Sequence, residues 1–169
     1  MTRIRSIVAI SSAERELIER GRSAFEEMLP GLDFDAQRWS TKGSSLRGLS
    51  AAGGVILWRP PEHFSRTPVS LRFSRVVKSL NVLHLSNAGT LANAARAASL
   101  LWAALMRLRG GDPEAFSWQG LSAADFEEGE AMLIELGLGK QTTYRMCLQW
   151  SALLERLNAA GVCRTINPT

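Results

Sequence analysis

Residues 139–169 read GKQTTYRMCLQWSALLERLNAAGVCRTINPT. After Lys140, Gln141, Thr142 and Thr143 the segment takes on helical periodicity. Met146, Trp150, Leu153, Leu154 and Leu157 fall within about a 100° arc, the stripe of a helix laid on a core. Gln141, Arg145, Gln149 and Arg156 fall on the other side. Gly161 supplies a helix stop, and Asn167-Pro168 reads as extended chain because a residue before proline is pushed out of the α region. This ending is expected to mark a border where a further domain begins.

Working outward, the chain from Pro68 onward reads as helices only. Residues 71–85 offer Phe73, Val76, Val77, Leu80 and Leu83. A long helix over 88–109 carries Leu91, Ala95, Ala98, Leu101, Trp102, Leu105 and Leu108 on one side, and Gly110-Gly111-Asp112-Pro113 breaks it. Ser122 with Asp125 starts a third helix ending near Gly137, with Phe126, Met132, Leu133 and Leu136 inward and Glu127, Glu128 and Glu135 outward. With the helix from Gln141 to Ala160 these make a four-helix unit. Toward the N-terminus, Ser11 or Ser12 caps a helix to about Met28, and Ser11 with Glu14 has capping-box spacing. Leu17, Ile18, Phe25 and Met28 face inward, and Pro30-Gly31 ends the helix. Gly54 to Trp58 reads as a strand, forming a small hairpin with Arg38-Trp39-Ser40. Residues 60–69, with three prolines, read as a linker. The expected fold class is mainly α: an N-terminal accessory module over 1–69 with one helix and short strands, then a helical domain over 70–169.

A chain of 169 residues with 46% hydrophobic content is long enough for one well-filled core and argues against wholesale disorder. The longest apolar stretch, 97–108, is interrupted by Ser99 and Arg107 and is too short to span a membrane. The run 7–10 is too brief for a signal peptide, so a cytoplasmic location is expected. Cys147 and Cys163 make neither a disulfide framework nor a metal site; Cys147, beside the apolar arc, reads as a buried thiol. His63 and His84 lack paired ligand spacing. No cofactor, metal or small-molecule substrate is expected.

Charge is segregated along the chain. Residues 40–111 carry ten basic side chains against the single acid Glu62, residues 112–135 carry seven acids and no base, and the whole chain nets +4. One face built for a polyanion and another turned away would account for that pattern; arginine-rich helix exteriors would do so too. On the 88–109 helix, Asn93, Arg96 and Arg107 lie roughly opposite the apolar arc, with Thr90 at its edge. Together with Lys140, Gln141, Thr142, Arg145, Gln149 and Arg156 these are residue types that bridge phosphates or read base edges. Both helices open with polar residues whose backbone N–H groups suit a phosphate. Leu100 and Leu148 interrupt the polar faces.

The order of elements over residues 70–169 resembles the core-binding domain of tyrosine recombinases, the phage-integrase family. The resemblance rests on Thr90 with Ala94 through Leu101-Trp102 in one long helix, and on the Leu121-Ser122-Ala123-Ala124-Asp125 helix start. It rests also on Thr142-Thr143-Tyr144-Arg145 through Leu153, Leu157 and Gly161 to Asn167-Pro168. It covers about the C-terminal sixty per cent of the chain. It implies a SAM-like helical bundle that clamps one face of a recombination site through its second and fourth helices, with double-stranded DNA as partner and self-association on that site. It also implies a separate catalytic domain, where a tyrosine attacks a phosphate held by cationic donors. The one tyrosine of this chain, Tyr144, lies on the first turns of a helix and is not expected to be a nucleophile. No catalytic residue is expected. The alternative is a helical protein-interaction or regulatory module, for which Leu100 and Leu148 would contribute an exposed apolar patch.

Overall fold

The computed structural model describes residues 9–41 and 54–163. Five helices and one small antiparallel sheet follow in the order α1 (Ser12–Met28), β1 (Arg38–Ser40), β2 (Val55–Leu57), α2 (Leu71–His84), α3 (Ala88–Arg109), α4 (Ala123–Glu135) and α5 (Lys140–Ala159). Two 3-10 turns, Pro113–Ala115 and Trp118–Gly120, join α3 to α4. None of the described helices is long and apolar enough to cross a membrane. Lys42, Arg47 and the Asn167-Pro168 ending lie outside the described residues.

Local chemistry sets the helix ends. The Ser11, Ser70 and Asn87 side chains each accept a backbone N–H in the first turn of α1, α2 and α3. Ser122 and Asp125 form a complete capping box at α4. At α1 only half of the expected box closes. Ser11 Oγ accepts from the Glu14 N–H at 3.2 Å, but the Glu14 carboxylate is taken by Arg72 of α2. Gly137 and Gly161, at φ +95° and +74°, end α4 and α5 in the left-handed region that glycine tolerates.

Helix α3 is the axis of the packing. It touches α2, α4, α5 and β2, and every residue from Ala97 to Met106 is buried. Five of those ten positions are alanine or serine, so neighbours can close in from all sides. The Trp150 indole N–H of α5 donates to the Ala97 carbonyl at 2.7 Å. Leu100, expected among polar neighbours, is 1% exposed, because α3 has no solvent face at that level. Phe73, Trp102, Phe116 and Trp118 make an aromatic cluster in which Phe73 and Trp118 stack at 5.1 Å. It draws the 113–121 connection back onto α2 and α3.

Helix α1 covers α2 from the opposite side. They cross at Gly21, where an added Cβ would stand 2.2 Å from Ser79 Oγ and 2.5 Å from Ser79 Cα. In the sheet, Trp39 lies opposite Ile56, and both are buried. A single hydrophobic cluster runs from Leu17 and Phe25 through Trp39, Ile56 and Trp58 to Trp102 and Leu157. Residues 60–69 have no regular structure, yet they are not a solvated tether. Phe64 is buried, the Arg107 guanidinium donates to the Phe64 and His63 carbonyls, and the Trp102 indole donates to the Thr67 carbonyl at 3.3 Å. The stretch is a strap laid across α3.

The most unusual polar group is Lys78, fully buried on α2. Its ammonium donates to the carbonyls of Phe34 and Ala36 at 2.7 and 2.8 Å and lies over the rings of Phe34, Trp39 and Trp58 at 5.2–5.9 Å. Among the described residues the buried indole nitrogens of Trp39 and Trp58 have no hydrogen-bond partner, a cost of about 1–3 kcal/mol each that the surrounding packing offsets. Burial depresses the Lys78 pKa to about 8, opposed by the charges of Asp35 and Asp33 and reinforced by Arg75 and Arg22.

Two measurements follow from this packing. Replacing Gly21 by Ala forces α1 away from α2 and is expected to lower unfolding free energy by about 1–3 kcal/mol in urea titration; an unchanged midpoint would refute the close crossing. Because Lys78 binds its proton more weakly in the folded state, the unfolded chain holds more protons between pH 8 and 10.5. Stability should rise across that window, by up to about 1.4 kcal/mol per pH unit, and Lys78→Met should flatten the rise.

Candidate nucleic-acid interface

The cations of the basic stretch divide into two groups. The first is consumed in holding the fold. Arg72 grips Glu14 with two nitrogens, at 2.8 and 2.9 Å, and Glu14 is fully buried. Arg75 grips Asp35 in the same bidentate way at 3.0 and 2.9 Å, with Arg22 of α1 at 3.4 Å from the same carboxylate. The hydrogen bond from Arg75 holds the Asp35 carboxyl below its ordinary pKa, and Asp35 in turn raises that of Arg75. Arg109 pairs with Asp125 and donates to the Gly120 carbonyl. Lys78 is buried. Much of the charge segregation thus becomes pairing between segments: basic residues of α2 and α3 meet acids from α1, the 33–35 loop and α4.

The second group faces water. Arg96 on α3 and Lys140 and Arg145 on α5 are exposed, and among the described residues neither hydrogen bond nor ion pair holds them. Helices α3 and α5 meet at a shallow groove lined by Asn81, Ala94, Ala97, Ala98, Gln149, Trp150, Leu153 and Arg156. Alanines on α3 let α5 approach, and the Trp150 bond to Ala97 pins the crossing. Gln149 and the half-buried Arg156 therefore sit at the groove. Arg145 stands one turn before Gln149 on the same side of α5, and exposed Gln141 one turn earlier. On α3, exposed Thr90 and Asn93 lead into the groove from its N-terminal end. Helices α2 and α3 carry no acidic residue, and α5 carries only Glu155.

Positive charge extends to the far end of the groove. The His84 imidazole at the end of α2 is pushed below its ordinary pKa by desolvation and then by the charges of Arg156 and Arg20. Asn81, His84 and Arg20 escaped sequence reasoning because the first two sit within or just after a core-forming run. Arg20 belongs to a helix whose charge balances overall.

Not every expected contact residue joins this surface. Arg107 is exposed at one edge, but its guanidinium is committed to the strap carbonyls. It also lies eleven residues beyond Arg96, about 16 Å along the helix. The N-terminus of α3 is not open either, since Asn87 Oδ1 accepts from the N–H groups of Gly89 and Thr90, and the Thr90 hydroxyl donates to the Asn87 carbonyl. The N-terminus of α5 differs. Its N-cap is Gly139, without a side-chain cap, so backbone N–H groups beside Lys140, Gln141 and half-buried Thr142 remain open. Thr143 is buried.

Two further expectations change. Cys147 is half-buried, with its thiol pushed up to about 11 by desolvation and by Glu130, whereas Cys163 is the buried thiol. Leu148 and Tyr144 are 54% and 62% exposed, one turn apart on α5. The sequence holds one His-x-x-Arg spacing, His63 to Arg66. It falls in the strap, with the His63 ring tilted against Phe64 at 4.2 Å, and not on a helix face. Among the described residues, no cluster of His, Cys, Asp and Glu could hold a metal ion.

Since Arg107 braces the strap, Arg107→Gln is expected to lower stability by about 1–3 kcal/mol in thermal or urea unfolding; a neutral result would show that its two carbonyl bonds do not brace the fold. Compared with protein-family models, curated proteins and solved structures, this chain gives no match.

Proposed function

We propose that this chain is the DNA-binding portion of a site-specific tyrosine recombinase. In this reading α2 to α5 form the core-binding, SAM-like bundle, preceded by an accessory module over 1–69. The bundle grips duplex DNA at a recombination site, and strand cleavage belongs to a catalytic domain outside these residues. The observation that carries the reading is the α3–α5 groove. Arg145, Gln149 and Arg156 share one side of α5, and exposed Thr90 and Asn93 stand on α3 just before Ala94; Arg96 is exposed on the same helix, on the side away from Ala94, Ala97 and Ala98. Cations that hold the fold together are paired with carboxylates or carbonyls; among the described residues Arg96, Lys140 and Arg145 have no such partner. Arginine with glutamine and asparagine on adjoining helices suits phosphate positioning with some base-edge contact, and the uncapped start of α5 offers N–H groups to a phosphate beside Lys140.

A second reading, docking of a protein partner, is favoured by exposed Tyr144 and Leu148 on α5. Leu100 no longer supports it, being buried, and two side chains make a small patch.

Four cations, Arg96, Lys140, Arg145 and Arg156, enter the electrostatic count. Log affinity for duplex DNA should therefore fall against log salt with a slope near −3.6. Arg96→Glu with Arg145→Glu should abolish binding at moderate salt while leaving the circular dichroism spectrum unchanged. Salt-insensitive binding, or none at low salt, sinks the DNA reading; concentration-dependent association on size exclusion that Leu148→Glu abolishes would favour the docking reading.

A further inference from the structure

A second cavity among the described residues is separate from the α3–α5 groove. It lies on the strap, has a volume of about 430 Å3, and is lined in part by Gln37, Arg59, Glu62, Ser65, Arg66 and Thr67. That volume falls within the range of small-ligand sites. Its walls are held from several directions. Pro60 is buried, the Trp58 N–H donates to the Gln37 carbonyl at 2.8 Å, and the Thr67 N–H donates to Ser65 Oγ at 3.1 Å. Beneath it, Arg107 and Trp102 fasten the carbonyls of residues 63, 64 and 67. Two exposed arginines thus sit on a braced scaffold, so little further ordering is needed when a ligand arrives.

The charge of the cleft points to its ligand. Elsewhere in the fold, Arg72, Arg75 and Arg109 are each matched to a carboxylate. Among the described residues, Arg59 and Arg66 are matched to none. They line one cleft with a single carboxylate, Glu62, which lies within ion-pair distance of neither. Two guanidinium forks against one carboxylate leave a net charge of +1, suited to one phosphate group held by planar, bidentate donors. Ser65 and Thr67 add hydroxyls that can donate to phosphate oxygens. The Glu62 carboxylate is an acceptor for a sugar hydroxyl or a base amino group. A bare anion would leave it unused.

We propose that this cleft binds the phosphate group of a nucleotide, with Arg59 and Arg66 on the phosphate and Glu62 on a hydroxyl or amine of the same molecule. The nucleotide is either free or one unit of a nucleic-acid strand. The assignment does not depend on the DNA reading of the α3–α5 groove.

The test compares the full chain with an Arg59→Gln, Arg66→Gln double variant. Neither side chain has a hydrogen-bond or ion-pair partner among the described residues, so the variant should keep its helicity. Inorganic phosphate and deoxyadenosine monophosphate are titrated by calorimetry, and a short duplex by fluorescence anisotropy across a salt series. If the nucleotide is taken up free, deoxyadenosine monophosphate binds more tightly than inorganic phosphate. The double variant then weakens it about tenfold or more, with duplex binding unchanged. If the cleft holds a strand, the double variant lowers duplex affinity and shrinks the salt slope by about 2. Either outcome supports the site. No change in nucleotide or duplex binding overturns it, as does a wild-type chain that binds neither. Should Arg96→Glu with Arg145→Glu abolish duplex binding while the cleft variant changes nothing, the cleft falls and the groove stands. Nucleotide binding that depends on Arg59 and Arg66, with no duplex binding at all, gives the reverse.

Discussion

Helix α3 is surrounded over its middle turns, from Ala97 to Met106, and most of the molecule is arranged to satisfy that burial. A helix buried all round needs neighbours on every side, and a run rich in alanine and serine lets them come close. Helices α2, α4 and α5 and strand β2 supply those neighbours, and the Trp150 and Trp102 indoles tie the assembly through single backbone carbonyls. Only the ends of α3 reach water. At the C-terminal end Arg107 and Arg109 are occupied with the strap and with Asp125. The N-terminal end, from Thr90 to Arg96, is left to meet the exposed stripe of α5.

The same burial gives charge segregation a second meaning. A stretch with ten bases and one acid suggests a polyanion-binding face, yet three of its arginines close onto carboxylates from elsewhere in the chain. Glu14 and Asp35 clamp α1 and the 33–36 loop onto α2, and Lys78 crosses the same contact to reach two loop carbonyls. Such pairs, buried at Glu14 and half-buried at Asp35, add little net stability once desolvation is counted, but removing one partner strands a charge. They therefore set how the N-terminal elements sit on α2. Among the described residues of that stretch, Arg59 and Arg66 at the strap cleft and exposed Arg96 on α3 remain for a polyanion.

Features governed by nearest neighbours were legible from residues alone. Helix starts at Ser11, Asn87 and Ser122, stops at Gly137 and Gly161, the inward stripe of α5 and the pairing of Arg38–Ser40 with the 55–57 strand all follow from caps, periodicity and turn chemistry. The phase of Gln141, Arg145, Gln149 and Arg156 on α5 was legible for the same reason, since 3.6 residues per turn is a local rule. Arg107 looked equivalent to Arg96 by phase, but its partners lie 43 and 44 residues away in a strap that read as a linker. Leu100 seemed misplaced only because a one-faced helix was assumed. The burial of Lys78 had no local signal: its carbonyl partners belong to a loop about forty residues earlier.

By itself the sequence determined the five helices and two short strands to within a residue or two, and which stripe of α5 turns inward, because hydrogen bonding and side-chain periodicity act over a few residues. The tertiary structure decided which charges are spent and which are free, that α3 is enclosed on all sides, and that the 60–69 strap carries a cleft with two unmatched arginines. Those outcomes depend on contacts between residues tens of positions apart. Electrostatic pairing and desolvation depend on distance in space, which the order of residues along the chain does not contain.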